Sequence, residues 1–439
     1  MTIALFSWMT CLLAIGAGAV FFLRAGRIAM IAICVILGMQ VLVRPVLFFL
    51  GLDRPSPYAW FSGPEWDLVA QANLYATVWF LVTASTYLLL CQTDRSGFGF
   101  PRSPPQVSVR SVLLIAAALT ALNAFATLFL VWQAGGVAQF VFAVKIGKKL
   151  AGFYVLREIG TLAVTLLIYA LVAEAGARRR GFAPRHSLVL IASLIAVDFG
   201  INYLWGNRSN IAYMTLAGGV AFHLHVRRFR ISELVIGAVV FLTLLEGLKE
   251  LRNAFVSQVT GRAAGNDFDF WLRLSASLHL NQFDALMLAL RDVGERFDFR
   301  NGQDALNGLL AWVPRAIWTD KETFQVGGWF RRVYQSNTIN GWPITVVGNW
   351  YINFGLIGIA LGGMLSGVVA AIMDWSFSHP RHNAWAAGIG SSVSFQLLNG
   401  GVDFGFAQSY VLLVVPLLLL VPFLDRRRPR RAIVASGST

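Results

Sequence analysis

The sequence predicts an all-α polytopic membrane protein, and three observations lead to this fold class. Hydrophobic residues make up 56% of the 439 positions, whereas charged residues make up only 13%, about half the share found in soluble domains. The mean hydropathy is +0.63. Apolar stretches near the length that crosses a bilayer recur about eleven times along the chain.

Each predicted membrane span is one of these apolar stretches. In chain order they lie near residues 2–23, 28–50, 68–91, 111–133, 158–175, 187–205, 211–225, 231–248, 346–373, 384–400 and 409–424. The ninth stretch is expected to begin as a re-entrant or surface segment. Its glycines are expected to permit close helix packing; they are Gly355, Gly358, Gly362, Gly363 and Gly367.

The spans divide the chain into four parts. These are an N-terminal bundle of about eight spans (1–248), a large loop (249–345), C-terminal spans (346–424) and a basic tail (425–439). One alternate set of loops, together with the tail, holds most of the arginines. By the positive-inside rule this bias places the N-terminus outside, the C-terminus in the cytoplasm and the large loop on the outer face.

The net charge of +14 follows mainly from these cytoplasmic arginines, which fix orientation and meet anionic lipid. No separate basic domain is visible, so the charge does not indicate nucleic-acid binding. The large loop contains two stretches with apolar residues at helical spacing, 268–290 and 304–313. They are predicted to be amphipathic helices that lie on or dip into the outer face of the membrane.

A tight outer turn, WGNRSNIAYM (205–214), has the features of an anion site. Asn207 or Ser209 can cap the helix that follows, and Arg208 adds a guanidinium beside the positive end of that helix. The alternative is an arginine that extends to lipid headgroups. Asp198, inside the preceding span, is a candidate functional acid or a partner for Arg208.

The outer loop 134–157 carries Lys148 and Lys149 on an amphipathic stretch, against the charge bias of the other outer loops. These lysines are expected to contact either lipid headgroups or an anionic lipid substrate. The motifs of phosphate loops, dinucleotide sites, zinc proteases and serine hydrolases are absent. The six histidines and three cysteines are too scattered for a metal site, so the sequence predicts neither a metal nor a cofactor.

The stretch LLAWVPRAIWTDKE, followed by GNWYINFGLIGIALGGMLSG, resembles the Wzy-type polymerases of bacterial O-antigen and exopolysaccharide repeat units. The first part of the resemblance is Pro314, Arg315, Trp318 and Lys321, and the second is Tyr351, Asn353, Phe354 and Gly355. The pair Arg208 and Gly219, and the stretch around Arg273, are also similar to that family. Two positions depart from its pattern: Asn349 stands where many members have an acid, and Glu322 stands where a proline is usual.

The resemblance implies a membrane glycosyltransferase of the GT-C type, in the bacterial inner membrane with its active site facing the periplasm. The growing chain would pass from undecaprenyl pyrophosphate onto a new lipid-linked repeat unit, without metal or nucleotide, and a chain-length regulator is a candidate partner. Charge that develops on the leaving pyrophosphate needs preorganised cations. The candidates are Arg208, Arg273, Arg315 and Lys321.

The acceptor hydroxyl also needs a general base. The candidates are His279, Asp284, Asp304 and Asp320, and the sequence does not choose among them. Arg252, Trp318 and Tyr351, with Lys148 and Lys149, are candidate substrate-binding residues. The alternatives are an O-antigen ligase that transfers the glycan to lipid A–core, a transporter or flippase of lipid-linked sugar, and a scaffold without activity.

Overall fold

In the computed structural model the chain is helical over nearly all the residues that the structure describes. Those residues are 1–51, 65–93, 108–144, 154–179, 181, 186, 188–206, 215, 218–219, 222–223, 226–261, 282–304, 306, 310, 313, 317–318, 326–335 and 342–378. They contain no strand, and only an isolated bridge joins Val293 and Phe297. The predicted all-helical class is confirmed for this part of the chain.

The helices are numbered here in chain order. They are α1 (Thr2–Arg24), α2 (Ile28–Val41), α3 (Val43–Phe49), α4 (Trp66–Thr93), α5 (Val109–Gln133), α6 (Val137–Phe142), α7 (Tyr154–Arg179), α8 (Leu188–Leu204), α9 (Ile231–Thr260), α10 (Gln282–Asp292), α11 (Val326–Gln335) and α12 (Val346–Ser378).

Six segments among the described residues are long and apolar enough to cross a membrane. They are Thr2–Arg24, Ile28–Phe49, Trp66–Cys91, Val109–Gln133, Ile159–Arg179 and Val346–Asp374. They match six of the predicted spans, so several helices with the length and composition of a membrane span are confirmed. Helix α8 is apolar but has only 17 residues. Helix α9 covers the predicted 231–248 span and continues to Thr260. The predicted spans 211–225, 384–400 and 409–424 lie largely or wholly outside the described residues.

The chain divides into two compact units. The first comprises Met1–Phe100, Asp267–Trp375 and Gln396–Val411, and the second comprises Pro101–Asn266, Ser376–Phe395 and Leu412–Thr439. The predicted large loop is therefore shared, because its first residues belong to the second unit and the remainder to the first.

In the first unit, α1 packs against α2 and α4. The second span is interrupted at Leu42, between α2 and α3. Pro45 accounts for the interruption because it has no N–H for the carbonyl of Val41. The indole N–H of Trp8 donates to the carbonyl of Leu42 (3.0 Å), so a neighbouring helix satisfies a carbonyl at this break.

Helix α12 packs closely against its neighbours in the same unit. A Cβ built on Gly363 would lie 2.9 Å from the carbonyl oxygen of Trp79, and one on Gly367 would lie 2.6 Å from that of Thr83. Only glycine permits this approach to α4, which confirms the predicted packing role for these two residues. Near the end of α12, Asp374 accepts hydrogen bonds from the first turn of α2, at Ala29 N–H (3.0 Å), and from the Tyr87 hydroxyl (2.7 Å).

Helix α10 is a core helix. Every residue from Phe283 to Leu290 is buried, so the prediction that 268–290 lies on the membrane surface is wrong for its described part. The apolar residues of α10 pack against α11 and the segment 342–352 in one cluster. The cluster contains Ala285, Leu288, Ala289, Val293, Val326, Phe330, Tyr334, Trp342, Ile344 and Ile352.

In the second unit, α7 packs against both α5 and α8, and α6 packs against α9. The ends of α5 and α8 meet α6 in a small apolar cluster. Its buried members are Leu130, Val131, Phe140, Ile201 and Trp205. The turn that follows α8 contains Gly206, whose φ of +74° is the left-handed conformation typical of a glycine just after a helix.

Candidate functional site

Helix α12 is broken two turns after it begins. Phe354 (φ −140°, ψ 15°) and Gly355 (φ +59°, ψ −140°) have non-helical backbone angles, and those of Gly355 belong to a region that essentially only glycine adopts. After the break the chain turns back on itself. A Cβ built on Gly358 would collide with the carbonyl of Trp350, and one on Gly362 would collide with the Trp350 ring.

In a straight helix, residues eight positions apart lie about 12 Å apart along the axis, so these contacts require the first turns to lie beside the rest of the helix. The irregular start fits the predicted re-entrant or surface segment, whose place relative to the membrane stays a prediction. The glycines Gly358 and Gly362 make room for Trp350 within α12, not for another helix as expected. The stretch Tyr351–Gly355, which carried the family resemblance, is the turning point.

The segment 300–304, in the loop before α11, packs against this turning point. A broken helix leaves the carbonyls before the break without helical partners. Here the carbonyl of Ile352 accepts from the N–H of Arg300 (3.0 Å), and that of Asn353 accepts from the N–H of Asn301 (2.8 Å). The Gly302 N–H donates to the side-chain oxygen of Asn353 (3.2 Å). The loop and the break thus complete each other's backbone hydrogen bonds.

Asp304, one of the candidate bases, lies in the same cluster. It is fully buried and accepts from the Nε (3.0 Å) and Nη2 (2.9 Å) of Arg300 and from the amide of Asn353 (3.4 Å). A carboxylate held by an arginine and an amide is stabilised in its charged form. This geometry favours a positioning role for Asp304, with Arg300 as its counter-ion.

Tyr351 lies half-buried beside this cluster. Its ring packs against Tyr75 of α4 (6.1 Å between ring centroids) and against Phe299 (5.9 Å). Trp318, the other aromatic candidate for substrate binding, is also half-buried, next to the exposed Ile317. Partly exposed aromatic rings at a polar turn are suited to stacking on sugar rings, so both predictions stay open.

Asp284 forms a buried ion pair with Arg44. The Nε of Arg44 donates to Oδ1 (3.1 Å) and Nη2 donates to Oδ2 (3.0 Å), and both side chains are fully buried. The guanidinium also lies 4.8 Å from the centre of the Phe48 ring. The pair fixes α10 against α3. A base must be able to exchange its proton with a substrate hydroxyl, so this arrangement favours a structural role for Asp284.

A second polar network fixes the end of α10. Asp292 accepts from the Tyr334 hydroxyl (2.5 Å) and from the Nε of Arg291 (2.8 Å), and Arg291 also reaches Glu65 (3.2 Å). Burial opposes the charge of Asp292, but the hydrogen bonds from Arg291 and Tyr334 outweigh it and hold the pKa of this carboxyl below its usual value. Burial and the contact with Asp292 together raise the pKa of the Tyr334 hydroxyl.

In the second unit, Arg252 of α9 lies at the turn that follows α8. Its Nη1 donates to the carbonyl of Gly206 (3.4 Å), and a Cβ on Gly206 would lie 2.7 Å from the same nitrogen. The turn is anchored by packing, because Trp205 is buried against Phe140 of α6 (5.2 Å between ring centroids). This candidate substrate-binding arginine therefore stands beside the turn whose sequence continues to Arg208.

The other predicted site residues lie outside the described residues. They are Arg208, Arg273, His279, Arg315, Lys321, Lys148 and Lys149, together with the candidate base Asp320. In the described part of the chain, no group of three or more His, Cys, Asp or Glu side chains could hold a metal ion.

Sequence reasoning did not assign roles to Arg44, Arg300 or Asn353. An arginine inside an apolar span is costly unless it is paired, which was a usable signal for Arg44. The sequence contains no comparable signal for Asn353, because its role depends on the break in α12. Comparison with known proteins adds no relative: no family model, no curated protein and no solved structure matches this chain.

Proposed function

We propose that the chain is a membrane glycosyltransferase that polymerises undecaprenyl-pyrophosphate-linked oligosaccharide repeat units on the periplasmic face of the bacterial inner membrane. The observation that carries the proposal is the turning point at Tyr351–Gly355, where α12 is broken and hydrogen-bonded by the segment 300–304. The residues that resemble the Wzy-type polymerases there are held in place by Arg300, Asp304 and the 300–304 backbone.

The chemistry needs cations where the pyrophosphate departs. As the bond between the sugar C1 and the phosphate oxygen breaks, negative charge grows on the pyrophosphate, and guanidinium groups stabilise it in two-pronged contacts. Arg208, Arg273, Arg315 and Lys321 are proposed for this role. Arg252 supports the proposal because its guanidinium lies at the turn that leads into Arg208.

The acceptor base is proposed to be His279 or Asp320. Of the four candidates, Asp284 and Asp304 are buried and held by arginines, which disfavours proton exchange with a substrate. The leaving group brings its own energy as a sugar pyrophosphate, so no nucleotide or metal is required. Activity is therefore expected to persist in EDTA.

The test uses purified protein in proteoliposomes that contain a lipid-linked repeat unit, with neither nucleotide nor metal added. A ladder of polymer is expected. Arg208→Ala and Arg315→Ala should each lose it, since removal of one such donor costs about 2.7–4 kcal/mol, or roughly 100- to 1,000-fold in rate. Arg→Lys at either position should recover little, because an ammonium lacks the planar fork.

Arg332→Ala is the matched control, because this arginine is exposed on α11. Its ladder should equal that of the wild type. If Arg315→Lys also retains a full ladder, Arg315 acts only as a surface charge, and its proposed role in stabilising the leaving pyrophosphate is wrong. Transfer of a single glycan to lipid A–core, without a ladder, would make the protein a ligase.

A transporter of lipid-linked sugar is the second candidate, because of the break in α12. Discontinuous helices commonly form substrate sites in transporters. The same proteoliposomes distinguish the two functions, if the lipid-linked unit is supplied on one leaflet and its accessibility on the other is followed over time. Movement between leaflets without chain growth would support transport and contradict polymerisation.

A further inference from the structure

Three helices of the second unit share a buried polar seam inside the predicted membrane region. Polar side chains of α5 and α8 are buried there against α7. The residues of the seam are Thr120, Asn123 and Thr127 of α5, Gly160 of α7, Asp198 and Asn202 of α8, and Trp205 directly after α8. The indole N–H of Trp205 donates a hydrogen bond to the hydroxyl oxygen of Thr127 (3.0 Å).

Asp198 is incompletely satisfied in this seam. Its side chain is fully buried, and Oδ2 accepts from the Thr120 hydroxyl at 2.6 Å. No donor among the described residues reaches Oδ1. An ionised carboxylate in an apolar region is costly without a positive charge or further donors.

Asn123 is incompletely satisfied as well. It is 1% exposed, and neither its amide oxygen nor its amide nitrogen has a hydrogen-bond partner within the described part of the chain. Buried amides are normally paired. Since Asp198 Oδ1 and the Asn123 amide both lack partners among the described residues, they do not hydrogen-bond to each other, and a bound atom that contacts both would satisfy them.

Gly160 lets these side chains approach α7 closely. A Cβ built on it would lie 2.6 Å from the amide nitrogen of Asn123 and 3.1 Å from that of Asn202. The two amides therefore border one point. Asn202 in turn donates to the backbone carbonyl of Asp198 (2.9 Å), so the amides and the carboxylate belong to one cluster of side chains.

We propose that Asp198, Thr120 and Asn123 form a binding site for Na⁺ between α5, α7 and α8. The available atoms are a carboxylate oxygen, an amide oxygen and a hydroxyl oxygen, which are the hard ligands that hard cations prefer. One carboxylate carries one negative charge, which favours a monovalent ion over a divalent one. The site does not depend on the proposed polymerase activity, and EDTA would not empty it.

Two other occupants make different predictions. A proton on Asp198 would neutralise the carboxylate without any cation, and a buried water would donate to Oδ1 without neutralising it. Neither would make the stability of the protein respond to Na⁺ in preference to another cation at equal ionic strength. Sodium dependence therefore separates the proposal from both.

The experiment measures the thermal stability of the purified protein in nanodiscs by tryptophan fluorescence. NaCl is compared with KCl and choline chloride at the same ionic strength, and ²²Na⁺ binding is measured directly. A ligand that binds only the folded state raises the Tm as its concentration exceeds its Kd, so Na⁺ should raise the Tm above that in choline. An equal Tm in all three salts would overturn the proposal.

Variants localise the effect. Asp198→Asn should abolish both the Na⁺ response and ²²Na⁺ binding, and Asn123→Ala should weaken the affinity by about tenfold or more. Asp374→Asn is the matched control, because Asp374 is also a buried carboxylate in an apolar helix but accepts from Ala29 and Tyr87. It should keep the full response. If Asp198→Asn does not fold, an unchanged affinity in Asn123→Ala would overturn the site.

Discussion

Replacing Arg44 by methionine tests whether the ion pair with Asp284 holds the first unit together. The guanidinium and the carboxylate are joined by hydrogen bonds of 3.1 and 3.0 Å, and water reaches neither side chain. Removing one member leaves a buried charge unpaired, which typically costs 3–5 kcal/mol. We expect Arg44→Met and Asp284→Asn each to lower the Tm of the purified protein by several degrees and to reduce its amount in the membrane.

The double variant Arg44→Met/Asp284→Leu removes both charges. Replacement of a buried pair by apolar side chains of similar volume is often neutral, or stabilising by about 1–4 kcal/mol. We therefore expect its Tm to return to the wild-type value or to exceed it, so that the two single changes are strongly non-additive. Arg227→Met is the matched control, because Arg227 and Glu233 make the same two-pronged contact (2.8 and 2.9 Å) on an exposed surface. Its Tm should not change.

The polymer ladder of the double variant decides the role of Asp284. A stable and active double variant would mean that Asp284 only positions α10. A stable but inactive one would restore Asp284 as the general base. The reasoning about the buried pair itself would be refuted if Arg44→Met were as stable as Arg227→Met.

Three other changes test other parts of the structure. Gly355→Ala should destabilise the protein by about 1–3 kcal/mol, since its backbone angles are strained for any other residue, while Gly16→Ala, which meets no neighbouring atom, should be neutral in the same thermal assay. Asp292→Asn should lower the Tm at pH 7. Folding lowers the pKa of Asp292, so its contribution to the free energy of unfolding is present above the pKa of the unfolded state. The difference in Tm between the variant and the wild type should therefore shrink as the pH falls below about 4. A cysteine at Gly265 should react with an impermeant maleimide from outside the cell and one at Ser436 should not, and the reverse pattern would contradict the proposed orientation.

Hydropathy was sufficient to find the six described helices that are long and apolar enough to cross a membrane. The thickness of the apolar core of the bilayer sets the length and apolar content that a membrane span needs. A window of about 20 residues therefore contains the relevant information. The same reasoning failed for the described part of 268–290. Its helical spacing of apolar residues is equally compatible with a surface helix and with a core helix, and only the surrounding protein decides between them. Helix α10 is covered on all sides.

The polar contacts of the site could not be predicted from the sequence, for a different reason. Arg44 and Asp284 are separated by 240 positions, and no local pattern indicates which acid an intramembrane arginine will meet. The turning point in α12 was partly predictable, because the span was expected to begin as a re-entrant or surface segment, although its glycines were assigned to close helix packing. The partner of that irregularity, the 300–304 backbone, could be found only once the carbonyls of Ile352 and Asn353 were followed to their donors.

The contacts within the first unit also bear on orientation, because they place the large loop relative to the basic end of α2. Asp374 binds the first turn of α2, beside Arg27, and therefore lies at the basic end of that helix. Near the opposite end of the same span, Gln40 accepts from the N–H of Val346 (3.3 Å), and Arg44 holds Asp284. The described part of the large loop is thus attached at the end of α2–α3 away from Arg24 and Arg27. If positive charge marks the cytoplasmic side, the loop faces outward for geometric reasons as well, and a single labelling result at Gly265 tests both arguments together.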